Sequence, residues 1–299
     1  MITSTSKIAI IGVGLMGHGI ALNVRKAGFE LRFLSHPGNQ PVSDLIEMGA
    51  VAVDHVKDLG AWADVTILCV TGSPQVEDVL YDKGLLDVLD AKSIVIDCST
   101  AIPSSTHRIA QDVQAKGAQF MDAPMTRTPN EAAQGRLNLL VGASPELFDA
   151  CQPLLRTFAE NIWHAGPVGS GHQLKLIHNF VSLGFGALMS EAVACAKIAG
   201  IEMPVLLDVL AKGGGGGVVF ERLKPYIEAQ DPSGFNFAMS NALKDITYYC
   251  TMSQEAGASG DIALGVKNAY ASAAQTNPDA KVPELIDILV RAGGEAYNG

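Results

Sequence analysis

Lys175 and Asn179 stand four residues apart in the stretch GSGHQLKLIHNFVSLGFGALMSEAVACAKIAG, residues 169–200. That stretch reads as one long helix. Leu174, Ile177, Val181, Leu188, Ala192, Cys195 and Ala199 recur near the 3.6 period, and Gly200 is a natural stop. A spacing of four puts the lysine and the amide on one face. Presented together near a helix start, they can do proton-transfer work. A lone lysine is more often a solvated surface group, so the case for chemistry has to come from the rest of the chain.

A second chemical signal lies near the beginning. Lys7 to Ile11 is a short β-branched run, followed at once by Gly12-Val13-Gly14-Leu15-Met16-Gly17. His18 to Ala27 then reads as a helix closed by Gly28, and Phe29 to Leu34 as a second strand. Strand, G-x-G-x-x-G, helix, strand is the context a dinucleotide fingerprint requires. Gly12 allows the tight turn, Gly14 lets backbone approach a pyrophosphate, and Gly17 lets helix and strand pack closely. The helix N-terminus then faces the phosphates with free N–H groups. The usual ribose-binding acid is missing at the end of the second strand, which reads Ser35-His36-Pro37-Gly38-Asn39. No arginine stands there either. Ser35, His36 and Asn39 can hydrogen-bond a phosphate, which inclines the reading to NADP and leaves NAD open.

The elements that must position these groups alternate. Strands are predicted at Gly49 to Val53, Asp64 to Val70, Ser93 to Asp97 and Gln119 to Pro124, with an edge strand at Leu137 to Gly142. Helices are predicted between them. Repeated βα units make a parallel sheet with helices on both faces, and ligands bind at the carboxyl ends of its strands. Those ends are Gly12–Gly17, Val70–Thr71, Asp97–Thr100 and Asp122–Thr128, so four loops should border one crevice. Beyond Gly166-Pro167-Val168-Gly169 the strand pattern disappears and the chain reads as helix, with 293–299 expected to fray. The fold class is α/β: a Rossmann-type domain over 1–165, then an all-helical domain over 166–299 built on the long helix.

Composition bounds the partners. Of 299 residues, 48% are hydrophobic and 17% charged, which suffices for a sizeable core. A net charge of −10 gives no general attraction for nucleic acid or anionic membrane. An anionic substrate then needs a local positive group. Five cysteines without a C-x-x-C pair fit buried thiols in a reducing compartment, so the cytosol is expected. The histidines show no metal spacing with Asp or Glu, and no metal is expected.

Five motifs in order resemble the β-hydroxyacid dehydrogenases, relatives of 3-hydroxyisobutyrate and 6-phosphogluconate dehydrogenases. They are Gly12 to Gly17 with Asn23 and Lys26-Ala-Gly28; Asp97-Cys-Ser-Thr100 with Pro103; Asp122-Ala-Pro124 with Gly135-Arg-Leu137; Gly169-Ser-Gly171 with Lys175 and Asn179; and Lys244-Asp245. The resemblance covers essentially the whole chain. It implies that Lys175 is the acid/base and Asn179 a substrate contact. It places Thr100 near the nicotinamide ribose and has Lys244 close over the cofactor or the substrate's acid group. Val70, Thr71, Leu15 and Met16 would border the cofactor. It also implies a homodimer or homotetramer.

One segment departs from the family. Where most members carry Ser-Gly-Gly, this chain has Thr126-Arg127-Thr128-Pro129. A guanidinium in a substrate loop binds carboxylate, sulfonate or phosphate in a fork, and the segment looks like the Arg-Thr variant of sulfolactaldehyde reductases. The other reading is an arginine turned outward to a surface acid. The function expected is NAD(P)-dependent interconversion of a short 3-hydroxy acid, or sulfonate, and its semialdehyde. An imine reductase and a non-catalytic dinucleotide-binding protein are the alternatives; relatives of both kinds usually lack the lysine.

Overall fold

The computed structural model describes residues 2–297, with side chains described as far as residue 293. Its contacts divide the chain into two compact units, Met1–Lys175 and Leu176–Gly299. The division falls ten residues after the expected 165/166, inside the long helix, because the start of that helix is bonded into the first unit.

The first unit is a nine-stranded sheet. Five central strands are parallel neighbours: β1 (Lys7–Ile11), β2 (Glu30–Leu34), β4 (Val65–Leu68), β5 (Ile94–Asp97) and β6 (Gln119–Asp122), with β3 (Val51–Val53) outside β2. Ile8, Ala9 and Ile10 of β1 are all fully buried, as in a strand covered on both faces. Helices such as Gly17–Lys26 and Pro103–Ala115 supply the covers.

The far side of the sheet differs from expectation. Leu137–Gly142, predicted at the edge, is β8 and pairs with β6, with β7 (Met125–Thr126) and with β9 (Ala159–Gly166). It runs antiparallel to β6 and β7 and parallel to β9, so the sheet is mixed. Neither β7 nor β9 was expected. Two residues are too few for periodicity, and Ala159–Gly166 alternates weakly and is mostly part-exposed.

The long helix spans Ser170–Ile198. Its buried residues include Leu176, Leu183, Ala187, Met189, Val193 and Ala194. The predicted apolar face is the exposed one: Val181 and Leu188 are 64% and 66% exposed, and Leu174 and Ile177 are exposed too. The helix is apolar nearly all round, so a 3.6 period alone did not identify the core face. By length and composition it could also cross a membrane, but one side of it is core.

The second unit packs helices Met203–Lys212, Val218–Ala229, Met239–Glu255, Asp261–Thr276 and Leu285–Tyr297 on the rest of that helix. Tyr270 is fully buried, and its hydroxyl donates to the Leu183 carbonyl at 2.8 Å. The last helix runs to Tyr297 instead of fraying from 293, and the rest of the expected tail lies outside the described residues.

Gly171 seats the long helix on the sheet. A Cβ there would stand 2.3 Å from the Leu140 carbonyl oxygen and 2.8 Å from Asp122 Oδ2. Gly171→Ala should therefore lower unfolding stability by about 1–3 kcal/mol, the usual cost of overpacking. Urea unfolding of the purified variant measures this, and an unchanged midpoint would show that the helix start can shift.

Candidate active site

The turn after β1 is tight at two of its three glycines and open at the third. Gly12 has φ +99°, and a Cβ on it would meet the Cys69 carbonyl oxygen at 2.2 Å. A Cβ on Gly17 would meet the Gly12 oxygen at 1.9 Å. Both are glycines because backbone passes too close for a side chain. Around Gly14 there is open space: a Cβ there would meet nothing within 4 Å. The helix Gly17–Lys26 that follows has no side-chain cap and no acid in its first turn, while Arg25 and Lys26 occupy its last. Its positive end thus remains available to an anion. Leu15 is exposed beside the turn and Met16 packs partly into the core.

The end of β2 is more committed than its sequence suggested. The Asn39 amide donates to the Leu34 carbonyl at 2.9 Å, so it caps the strand. His36 Nδ1 accepts from the Gly38 N–H at 3.0 Å, which leaves the ring proton on Nε2. Ser35 and His36 border a cavity of about 580 Å³ that also meets Asp54, His55, Lys57 and Lys83. These last four were not singled out from sequence. Lys57 pairs with Asp87 and Lys83 with Asp78.

At the ends of β4, β5 and β6 the structure gathers a buried polar cluster. Asp122 Oδ1 accepts the Gly169 N–H at 2.6 Å, and Oδ2 accepts the His172 N–H at 2.7 Å. It is a remote N-cap for the long helix, an anion at the positive end of the helix dipole. The His172 ring lies between two acids, with Nε2 3.9 Å from Asp97 and Nδ1 3.8 Å from Asp122. Burial pushes the Asp97 carboxyl up, and the nearby imidazole pulls it back down. Ser99 Oγ accepts the Val70 N–H at 3.1 Å, which ties two of the expected loops together. Thr100 is half-buried beyond it and Thr71 is exposed. Burial also pushes the Cys69 thiol up to about 12 and raises Cys98, so neither is a thiolate nucleophile near neutral pH. Lys175, half-buried, follows His172 by three residues on the same helix.

The Thr126–Thr128 loop closes on itself. Thr126 Oγ1 accepts from the Asn138 amide at 3.0 Å. Thr128 caps the helix Pro129–Ala133 in a capping box with Glu131, and that hydrogen bond holds the Glu131 carboxyl below its usual range. Arg127 has φ +83°, the conformation that suits the glycine usual at this place. Its Nη1 donates to the Glu160 carboxylate and the Arg136 carbonyl. The guanidinium is thus turned to a partly exposed acid on β9, the outward alternative to an anion fork.

In the second unit the Asn179 amide is fixed. Its Nδ2 donates to Asp245 Oδ2 at 2.6 Å, and its Oδ1 pairs with His178 Nδ1 at 3.0 Å. Lys244 Nζ lies 3.0 Å from Asp245 Oδ1 and 5.3 Å from the Tyr248 ring centre. Asp245, almost fully buried, therefore joins Asn179 to Lys244.

Residues 7–166 match the NAD binding domain of 6-phosphogluconate dehydrogenase, and residues 169–289 the NAD-binding domain of NADP-dependent 3-hydroxyisobutyrate dehydrogenase. The chain belongs to the β-hydroxyacid dehydrogenase family. It is an NAD(P)-dependent oxidoreductase. The NAD-dependent L-serine dehydrogenase of Pseudomonas aeruginosa is 31% identical over 96% of this chain and 93% of its own. The 3-sulfolactaldehyde reductase of Escherichia coli is 31% identical over 68% of each chain. Among solved structures, 3-hydroxyisobutyrate dehydrogenase of Mycobacterium tuberculosis with L-serine superposes with a TM-score of 0.83. It covers 95% of this chain and 99% of its own at 23% identity, and so speaks for the fold.

Within this family member, sequence reasoning missed His172, Thr106 and the helix-capping role of Asp122. A lone histidine reads as structural, and only the approach of strand ends to the helix start shows what it touches. The fingerprint carries a test. Gly14→Ala leaves the fold unstrained but puts a methyl where a pyrophosphate must come close. Its melting temperature should match wild type while NADH and NADPH affinity falls by about tenfold or more, the cost of one lost charge-assisted hydrogen bond. Fluorescence titration measures both affinities, and wild-type binding would remove the phosphate from this turn.

Proposed function

We propose that the protein interconverts a short 3-hydroxy acid and its semialdehyde, with residues 1–165 holding NAD or NADP. Lys175 acts as the proton donor and acceptor at the reacting oxygen. The observation that carries this reading is the anchoring of its helix start by Gly171 and by Asp122 at the carboxyl end of β6, the end of such sheets where ligands bind. The bound nicotinamide supplies or takes the hydride. A carbonyl that gains hydride becomes an alkoxide, and a protonated lysine both neutralises that charge and delivers the proton. Half-burial limits the water around Lys175. Asn179, locked by Asp245, offers the substrate an amide of fixed orientation. Lys244 supplies a cation for the cofactor or the substrate's acid group.

The substrate class follows from the kinship with hydroxyacid dehydrogenases and from the local charges. Against a net charge of −10, a small anion needs Lys175, Lys244 and loop N–H groups to bind. Arg127 reaches an anion only by exchanging Glu160 for it, so its ion pair supports a carboxylate substrate no less than a sulfonate. Lys175 favours carbonyl over imine reduction, because an iminium already carries its proton and gives a neutral amine on gaining hydride, whereas a carbonyl gives an alkoxide that still needs one. All five cysteines are free thiols, which supports a reducing compartment such as the cytosol.

Lys175→Ala should cut kcat by about 10²–10⁴, the usual worth of general acid–base catalysis, with cofactor affinity within a few-fold. The assay is NADH and NADPH absorbance over a panel of short hydroxy acids, semialdehydes and sulfonates. A variant that keeps more than roughly a tenth of wild-type kcat would take the acid/base role away from Lys175.

We further propose a homodimer or homotetramer formed through the exposed apolar face of the long helix. In the second unit Phe180, Val181, Phe185, Leu188 and Ile262 line a groove of about 390 Å³. An apolar surface of this kind marks an interaction site. Leu188→Glu should reduce the sedimentation mass toward one chain without changing the circular dichroism spectrum. A wild-type mass of a single chain at micromolar concentration would refute the assembly.

A further inference from the structure

We infer that His172 is a positioning residue. Through the Ser99 carbonyl and Thr106 it locks the turn after β5 to the helix one turn ahead of Lys175. The inference rests on the reaction proposed above. Ser99, Thr106 and His172 are all buried, at 3%, 1% and 0% exposure. None can touch substrate, so a role in catalysis has to act through the groups they hold.

The hydrogen bonds say what is held. The Ser99 carbonyl can only accept, so His172 Nε2, 3.2 Å away, must carry a proton and donate it. On the other side of the ring Nδ1 lies 2.7 Å from Thr106 Oγ1, which also reaches the Ile102 carbonyl at 3.2 Å. The imidazole thus links the turn after β5 to the first turn of the helix Pro103–Ala115 and to its own helix. Ser99 has every polar atom engaged: its N–H donates to Asp97 Oδ1 at 2.9 Å, its Oγ takes the Val70 N–H, and its carbonyl takes the imidazole. The imidazole holds the carbonyl of the peptide that leads to Thr100, while the other two bonds hold the rest of Ser99. Thr100, assigned to the nicotinamide side, is the next residue. His172 and Lys175, three apart, share one helix face. Displacing either half by about 1 Å can cost about 10²-fold in rate.

Two acids face the ring, Asp97 from β5 and Asp122 from β6. Asp122 takes the His172 backbone N–H, so the helix stays seated when only the ring is changed. That separates positioning from anchoring. A core histidine that merely fills space is replaced well by leucine. One that positions through hydrogen bonds is replaced only by a side chain that donates and accepts at similar reach, which is glutamine.

The test uses the full chain as His172→Leu, His172→Gln and Thr106→Val. Hydrogen exchange by mass spectrometry follows residues 98–104, with β1 as internal control. His172→Leu should speed exchange in that segment by about 2–10-fold, the worth of one net hydrogen bond, and leave β1 unchanged. In the assay its kcat should fall by about 10–100-fold with the KM for cofactor within a few-fold, and deuterated cofactor should show a larger isotope effect on kcat. His172→Gln should recover most of both losses, and Thr106→Val should lose part of each. Wild-type exchange and kcat in His172→Leu and Thr106→Val would overturn the inference. So would losses that glutamine does not recover, or faster exchange across the whole sheet. If His172→Leu does not fold, Thr106→Val and His172→Gln decide by the same criteria. If wild type turns over nothing on the panel, the proposed reaction fails, and the exchange pattern alone upholds or overturns the positioning role.

Discussion

Both carboxylate oxygens of Asp122 are directed at backbone N–H groups of the long helix. A buried carboxylate without partners would be costly, and so would a buried helix start with open N–H groups. Each removes the other's penalty. The pairing works only because Gly171 lets the helix start come within van der Waals range of β8 and the carboxylate. From that anchor the rest is dictated by geometry. The helix direction is set, His172 falls between Asp97 and Asp122, and Lys175 follows by less than one further turn.

The same economy appears in the cofactor cradle. Gly12 and Gly17 are glycines because backbone atoms of the turn and of Cys69 occupy the space of a side chain. Gly14 is different: the protein leaves its surroundings open. The first two positions are required by the packing of the fold, whereas nothing in the fold crowds the third, although the three look alike in the motif.

In the second unit Asp245 does for Asn179 what Asp122 does for the helix start. It accepts from the amide, faces Lys244, and fixes which way the amide oxygen points. In each unit, then, a buried carboxylate fixes a neighbouring group by accepting its hydrogen bond.

Much of this was legible in the sequence. The places of the strands along the chain through β6, the fingerprint, the long helix and the dehydrogenase kinship all rest on local signals, since glycine spacing and β-branched runs keep their meaning wherever the chain folds. Other features depended on contacts between distant residues. The periodic apolar face of the long helix turned out to be an exposed one, because the helix is apolar nearly all round and only the neighbouring helices decide which side is covered. β8 gained three partners because β7 and β9, too short or too irregular to predict, fold beside it. Arg127 took the backbone conformation usual for glycine and turned to Glu160, 33 residues away. His172, an ordinary residue in the sequence, became the centre of a buried cluster because two strand ends and the first turn of another helix converge on it. Residue type and spacing determined what chemistry the chain can hold, whereas tertiary packing decided which side chains are left to perform it.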